Sequence, residues 1–220
     1  MKKLIIVVVA VLLLAVVGGL VADRAAAGTA ENQITSAVQT QLPGATGVST
    51  QVSEVPVLTQ LASGRLRHVT VSMLTLPSGG VRLDDVIVDV HDVTTSTPYT
   101  AARVQATASI STAELSKQLG SDWTLRTDGD ALVATWNGFL TVDARIAPSV
   151  SDGKLTLRLT SVSALGVSID GSQVPSAVTD RINALASSIA ALPLGLTLSS
   201  VQVTPAGIDV VADGSQVVLG

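Results

Sequence analysis

The sequence predicts an α+β fold: a curved antiparallel β-sheet wrapped against one or two long amphipathic helices and preceded by an N-terminal membrane or signal helix. Three patterns support this prediction. Most of the chain after residue 45 alternates apolar and polar residues, two segments place apolar residues three and four apart, and residues 4–22 are uncharged and apolar. We divide the chain into a leader, residues 1–22, and one domain, residues 23–220.

Composition limits the possible functions. Of 220 residues, 47% are hydrophobic and 14% are charged, so the chain can bury one sizeable core. Aromatic residues make up only 2%, so aliphatic side chains must fill that core. The chain has no cysteine, which excludes disulfides, thiol catalysis and cysteine-ligated metals. A net charge of -4 gives no basic footprint, and we expect no nucleic-acid partner.

The apolar leader predicts export. At about 1.5 Å per residue, residues 4–22 just cross a hydrocarbon core of about 30 Å. Lys2 and Lys3 orient the N-terminus towards the cytoplasm, which places the domain outside it. The leader is either an uncleaved signal anchor or a signal peptide cleaved after Ala25-Ala26-Ala27. We favour the anchor because the apolar run exceeds a typical signal h-region. The domain is then on the extracytoplasmic face of the plasma membrane or, if cleaved, secreted to the envelope.

Two amphipathic helices are predicted. The first covers residues 25–42 and ends at Pro43-Gly44. The second covers residues 175–192, between two prolines suited to its start and its end. We expect this second helix to cover the apolar face of the sheet. Its apolar stripe consists of Val178, Ile182, Leu185, Ile189 and Leu192.

The strands are predicted from alternation and turn residues. A strand through Val69 to Met73 ends at the turn 77–80, and the next strand changes phase across Asp84-Asp85. This change predicts a β-bulge that curves the sheet. Residues 111–114 form a capping box that opens a short helix. Hairpins are predicted about residues 128–130 and 151–153.

An unusually small inner face predicts a cavity. Ala102, Ala106 and Ala108 alternate along one strand, and a packed core would need large side chains opposite them. The chain has one Phe, one Tyr and two Trp to offer, so we expect an elongated apolar groove between this strand and the second helix. The predicted groove residues are Val71, Met73, Val88, Ala102, Val104, Ala106, Ala108, Val178, Ile182, Leu185 and Ile189.

No catalytic signature is present. His91 and Asp92 are neighbours on a predicted strand and therefore point to opposite faces, and there is no nucleophile elbow or phosphate loop. We predict a non-enzymatic protein without a cofactor or metal. The carboxylates of Asp84, Asp85, Asp89 and Asp92 are interpreted as a solvated strand face rather than a calcium site.

Several short segments resemble one family. They are Val55-Pro56-Val57-Leu58-Thr59-Gln60-Leu61 with the following Gly64 and Val69/Val71 strand, Ala22-Asp23-Arg24, and Ala30-Glu31. Together they resemble the LmeA-type family of actinobacterial cell-envelope proteins. The resemblance implies a phospholipid-binding domain, likened to tubular lipid-binding proteins, after a membrane or signal segment. It also implies a link to mannolipid elongation.

These observations lead to one functional hypothesis and one alternative. The hypothesis is an extracytoplasmic phospholipid-binding protein that holds acyl chains in the groove and supports lipoglycan assembly at the membrane. Arg65 and Arg67 are then head-group residues, although an ordinary exposed strand entry explains them equally well. The alternative is a non-catalytic structural or adaptor domain that supports a membrane glycosyltransferase complex. Phospholipid, membrane and an envelope glycosyltransferase are the partners implied.

Overall fold

The computed structural model describes residues 25–40, 42, 44–53, 56–78, 80–96, 99–138, 141–164, 167–170, 182–184, 186 and 196–218. The helices within them are α1 (residues 25–40), α2 (Val57–Ala62) and α3 (Thr112–Leu119), and residues 182–184 and 186 are also helical. The strands are β1 (Ser49–Ser53), β2 (Arg65–Ser78), β3 (Val81–Thr94), β4 (Thr100–Ser111), β5 (Trp123–Asp128), β6 (Ala131–Asn137), β7 (Thr141–Ser151), β8 (Lys154–Ala164), β9 (Val167–Asp170), β10 (Thr197–Thr204) and β11 (Gly207–Val218).

The described strands form two antiparallel sheets. The first has the order β1-β2-β3-β4-β11-β10, and the second has the order β5-β6-β7-β8-β9. Antiparallel pairing is confirmed, but the prediction of a single sheet was wrong. The reason is α3, which takes the chain out of the first sheet after Ser111. The chain then builds β5 to β9 as successive hairpins, and β10 and β11 return to the first sheet.

The two sheets share one core. The Leu198 N–H donates to the Gly153 carbonyl (3.0 Å), where β10 meets the turn between β7 and β8. Buried aliphatic side chains from both sheets belong to the same cluster, including Val104 and Ile110 from the first sheet and Leu132 and Ile146 from the second. The core is aliphatic, as the composition predicted.

Helix α1 lies beside the edge strand β1. Thr35 Oγ1 donates to Thr50 Oγ1 (2.8 Å), and the Val52 N–H donates to Glu31 Oε1 (3.0 Å). An edge strand leaves alternate N–H groups without a strand partner, and Glu31 satisfies one of them. The first predicted helix is therefore present over residues 25–40. Its apolar side chains that pack against the core are Ala27, Ala30, Ile34 and Val38.

The second predicted helix, residues 175–192, lies mostly outside the described residues. Within it, residues 182–184 and 186 are helical, and Ile182 and Ala186 are buried in the core. Residues four apart share a helix face, so this described part presents an apolar side to the core. No helix among the described residues is long and apolar enough to cross a bilayer. The predicted leader lies outside them.

The predicted bulge at Asp84-Asp85 is confirmed. Asp85 has a φ of 51°, and the register between β3 and β4 shifts beside it. Leu83 and Val86 are both buried although two residues separate them, so the side-chain alternation changes phase here. The paired strand β2 changes phase at the same level. The bulge therefore bends the sheet rather than one strand alone.

A second bend crosses the other end of the same sheet and corrects one prediction. Ala102 lies in register between Asp92 on β3 and Gln216 on β11, and both of these have a φ of 53°. The alternation changes phase here, so Ala101 and Val104 are buried and Ala102 is exposed. The placement of Ala102 on the inner face was wrong because simple alternation was continued through this bend.

Candidate functional site

An apolar cavity lies against the inner face of the first sheet. Its volume is about 100 Å³, and its lining is aliphatic except for Ser78 and Thr107. The lining comes from five neighbouring elements of the sheet and from the residues that follow α1 and precede β10. The apolar lining residues are Leu42, Met73, Leu76, Val81, Leu83, Val86, Val88, Ala106, Ala108, Leu196, Leu198, Val210 and Ala212.

A single row of paired residues crosses the floor of this cavity. Val71 pairs with Val88, Val88 with Ala106, Ala106 with Ala212, and Ala212 with Leu198. Four of these five residues line the cavity. Ala106 and Ala212, which lie on adjacent strands, leave a depression in the middle of the row, because their methyl side chains cannot fill the space that Val or Leu would fill. The floor therefore has its depression at the centre of the sheet.

Burial confirms where the floor is open. Val88 and Ala106 are only half-buried. Two residues farther along the same strands, Val90, Val104 and Ala108 are buried. Interior positions of a packed sheet are expected to be buried throughout. The exposed surface of Val88 and Ala106 therefore belongs to the cavity.

The two bends set the length of the inner face. Asp85 and Asp92 are seven residues apart on β3, or about 23 Å at about 3.3 Å per residue. Half of a hydrocarbon core of about 30 Å is about 15 Å. The surface between the bends is therefore longer than one leaflet is thick. An extended hydrocarbon chain can lie along it.

The predicted groove residues divide into four groups. Met73, Val88, Ala106 and Ala108 line the cavity. Val71, Val104 and Ile182 are buried, and Ala102 is exposed. Val178, Leu185 and Ile189 lie outside the described residues. Sequence reasoning missed Ala212 and Leu198, although the small Ala212 alternates with Val210 in the same way as the alanines of β4.

Arg65 and Arg67 do not line this cavity. Both are exposed at the start of β2. Arg67 precedes the lining residue Met73 by six residues, or about 20 Å along a strand. The structure therefore separates the predicted head-group residues from the cavity.

A histidine–aspartate pair lies on the outer face of the same sheet. His68 Nε2 is 3.0 Å from Asp89 Oδ1, Thr70 Oγ1 donates to the same oxygen (2.7 Å), and the His68 and His91 rings stack with centroids 4.5 Å apart. Partial burial acts to raise the pKa of Asp89, but hydrogen bonds from Thr70 and His68 outweigh it and hold that pKa below its ordinary value.

This pair is not a catalytic triad. A triad places the carboxylate on one ring nitrogen and the nucleophile on the other. Here the Thr70 hydroxyl (3.4 Å) and Asp89 both approach His68 Nε2. Within the described part of the chain, no group of three or more His, Cys, Asp or Glu residues is arranged to hold a metal ion. Sequence reasoning considered His91 with Asp92 and missed this pair, which cross-strand register creates.

A second hollow is larger and polar. It measures about 350 Å³ and lies where α1 meets β1 and β2. Its lining residues are Glu31, Ser49, Thr50, Gln51, Val52, Thr70 and Ser72. Apolar surface gains free energy by leaving water, and polar groups lose it unless they find new partners. The polar hollow therefore suits water, and the smaller apolar cavity suits hydrocarbon.

Comparison with protein families gives a match over nearly the whole chain. The family model described as LmeA-like phospholipid-binding matches residues 21–213. Neither the comparison with curated proteins nor the comparison with solved structures gave a significant match. The matched range includes every residue that lines the apolar cavity.

Proposed function

This chain belongs to the LmeA-like phospholipid-binding family, and we propose that it binds phospholipid by placing acyl chain in the apolar cavity of the first sheet. The observation that carries the proposal is the open floor at Val88 and Ala106. Each methylene removed from water there contributes about 0.8 kcal/mol. Arg65 and Arg67 do not line the cavity itself: Arg67 lies about 20 Å along β2 from Met73, at the end of the inner face that Asp92 marks.

The cavity volume limits what it holds as it stands. An apolar cavity of about 150 Å³ holds a molecule the size of benzene. A volume of about 100 Å³ therefore holds a segment of one acyl chain, and the remaining methylenes need more of the inner face. Leu42 and Leu196 line the cavity from outside the strands, so their separation from the floor is the movement that enlarges it. We expect lipid binding to move these two residues.

The proposed location is the extracytoplasmic side of the plasma membrane, with the leader retained as an anchor. The packing of Ala27 supports retention. Ala27 is 7% exposed and belongs to the core, and cleavage before Gly28 would remove it. N-terminal sequencing of the membrane-associated protein tests this point, because a mature chain that begins at Gly28 contradicts retention.

We also propose a role in envelope assembly. The resemblance to the LmeA-type family supplies the mannolipid link, with an envelope glycosyltransferase as the partner that such a role implies. A lipid-binding chain serves this role by presenting or sensing phospholipid beside the enzyme. The alternative, an adaptor domain without a lipid, predicts the same partner and an unoccupied cavity.

Lipid measurement separates the two functions. The full chain is purified, its lipid is extracted and quantified by mass spectrometry, and the delipidated chain is then melted with and without added phospholipid. We expect phospholipid in stoichiometric amount and a higher melting temperature when it is added, because a ligand that binds only the folded state stabilises it. A chain that retains no phospholipid and melts at the same temperature with it contradicts the proposal and favours the adaptor.

A further inference from the structure

One end of the first sheet is formed by the ends of four strands in register. Arg65 pairs with Thr94, and Thr100 pairs with Val218. Thr94 Oγ1 accepts the Thr100 N–H (2.8 Å) and links the two pairs. Helix α2 adjoins this end, because the Thr95 N–H donates to the Gly64 carbonyl directly after the helix (3.0 Å). We call this region the Arg65 end.

Apolar side chains are exposed at the Arg65 end. Leu58 on α2 is 44% exposed, Tyr99 before β4 is 46% exposed, and Val218 at the end of β11 is 61% exposed. A tyrosine with an apolar ring and a polar hydroxyl suits the interface between water and hydrocarbon. Together, Leu58, Tyr99 and Val218 form an apolar surface at one end of the sheet, and such a surface gains free energy when it leaves water.

The Arg65 end also carries positive charge. Arg65, Arg67 and Arg103 are exposed there, with Asp92 as an exposed carboxylate on the same stretch of β3. Among the described residues, no ion pair involves Arg65 or Arg103. The chain as a whole has a net charge of -4, so this concentration of arginine runs against its overall charge.

The opposite end of the first sheet differs in charge. Among the described residues there, the cations are paired: Arg82 with Asp84 (3.2 Å) and Lys117 with Glu114 (2.8 Å). Thr127 Oγ1 donates to the carbonyl of Pro205 in the turn between β10 and β11 (3.3 Å), which brings Asp128 nearby, and Asp128 is itself paired with Arg145. An anionic surface would therefore attract the Arg65 end and not the opposite end.

The N-terminus of α1 points towards the Arg65 end. Thr35 contacts Thr50, which pairs with Val71, and Glu31 contacts Val52, which pairs with Val69. Moving towards the N-terminus of α1 thus means moving along β2 towards Arg65. Residue 25 is six residues before Glu31, or about 9 Å farther in this direction. The leader, residues 4–22, precedes that point by three residues.

We propose that the Arg65 end docks on a bilayer surface that carries anionic phospholipid head groups. The inference rests on the proposed function, which places the chain at such a membrane, and it assigns Arg65 and Arg103 to the bilayer rather than to the lipid in the cavity. Arginine side chains near an anionic surface are attracted to it, and the exposed apolar side chains add shallow insertion. In this orientation β2 runs away from the membrane, from Arg65 towards Met73, and the cavity lies above the membrane surface.

A fluorescent probe tests this docking in the full chain. Because the chain has no cysteine, Tyr99→Cys gives a single labelling site for an environment-sensitive fluorophore. The labelled chain is placed in vesicles of phosphatidylcholine alone or of phosphatidylcholine with phosphatidylglycerol. Asp130→Cys, which is exposed in the turn between β5 and β6, provides the matched control.

We expect a blue shift of the probe at position 99 in the anionic vesicles, and its loss in high salt and in the Arg65→Glu/Arg103→Glu variant. The probe at position 130 is expected to stay in water throughout. A probe at position 99 that gives the same spectrum in both vesicles overturns the proposal and leaves a protein as the occupant of this end. Phospholipid retained by the same samples shows that only the docking, and not lipid binding, has failed.

Discussion

Val88 lies opposite Ala106 in the register between β3 and β4, and both side chains remain half-buried at the centre of the inner face. The bends at Asp85 and Asp92 lie on either side of this pair. Curvature and side-chain size therefore act together. The bends bound the inner face, and the methyl groups of Ala106 and its partner Ala212 leave its middle unfilled.

A ring at position 106 is expected to abolish lipid uptake without unfolding the protein. In Ala106→Phe the ring enters the cavity that the acyl chain would occupy. Phospholipid retained by the purified chain is measured by mass spectrometry, and the melting temperature is measured on lipid-free protein. If the site were close-packed, overpacking would cost about 1–3 kcal/mol. A clearly lowered melting temperature of the lipid-free variant would contradict the cavity.

Ala102→Phe is the matched control for this experiment. It adds the same ring to the same strand four residues earlier, but Ala102 is exposed. We expect normal lipid retention and a normal melting temperature. Loss of lipid from both variants would mean that the substitutions act on the strand and not on the cavity.

Alternation in the sequence placed Ala102, Ala106 and Ala108 on one face, whereas Ala106 and Ala108 line the cavity and Ala102 is exposed, for one physical reason. A strand changes face with every residue only while its backbone stays extended. The bend at Asp84-Asp85 was visible because large aliphatic residues stand on both sides of it. The bend at Ala102 arises from positive φ at Asp92 and Gln216, which lie on two other strands. The local alternation of apolar and polar residues does not show which distant strands pair.

The position of Arg65 and Arg67 relative to the cavity, and the division of the strands into two sheets, could not be predicted for a related reason. Sequence proximity placed Arg65 and Arg67 beside the groove, but six strand residues separate Arg67 from the lining residue Met73 by about 20 Å. Similarly, each hairpin of β5 to β9 was predicted locally. Nothing in a hairpin sequence specifies whether its strands join the preceding sheet or form a new one.

The backbone conformation at Asp85 predicts opposite effects for two substitutions. Glycine adopts positive φ without strain, whereas a left-handed conformation costs about 1–2 kcal/mol for a residue with a β-carbon and more for a β-branched one. We expect Asp85→Gly to be nearly neutral and Asp85→Val to lower the free energy of unfolding by at least about 1 kcal/mol, measured by urea denaturation. Equal stability of the two variants would contradict a left-handed conformation at this bend.

Two glycines are expected to respond oppositely to alanine. Gly28 lies within α1, and a β-carbon there would meet no atom within 4 Å. Gly28→Ala should stabilise the protein by about 0.5–1 kcal/mol. At Gly207 a β-carbon would clash with the Ile110 carbonyl oxygen on the paired strand, so Gly207→Ala must move a strand and should destabilise the protein. Thermal unfolding of both variants checks the pair, and a shift in the same direction would contradict it.

Glu114 joins α3 to β3 and should make stability depend on acid pH. The hydrogen bond from Lys117 is the largest influence on its pKa, and together with the Arg82 N–H it holds that pKa below its ordinary value although burial opposes the shift. A carboxyl group with a lowered pKa stabilises the fold above its unfolded pKa of about 4.3, and this contribution disappears as the pH falls through the folded pKa.

In Glu114→Gln the side chain can still accept a hydrogen bond but cannot ionise, and hydrogen bonds to charged groups exceed neutral ones by about 1 kcal/mol. Urea denaturation from pH 7 down to pH 3 should therefore show the variant less stable by about 1 kcal/mol at neutral pH, with the difference shrinking below about pH 4. Lys117→Ala is the control, because Lys117 is 67% exposed and its loss should cost less than about 1 kcal/mol. A difference between wild type and Glu114→Gln that stays constant down to pH 3 would show that the ionised carboxylate is not the stabilising form.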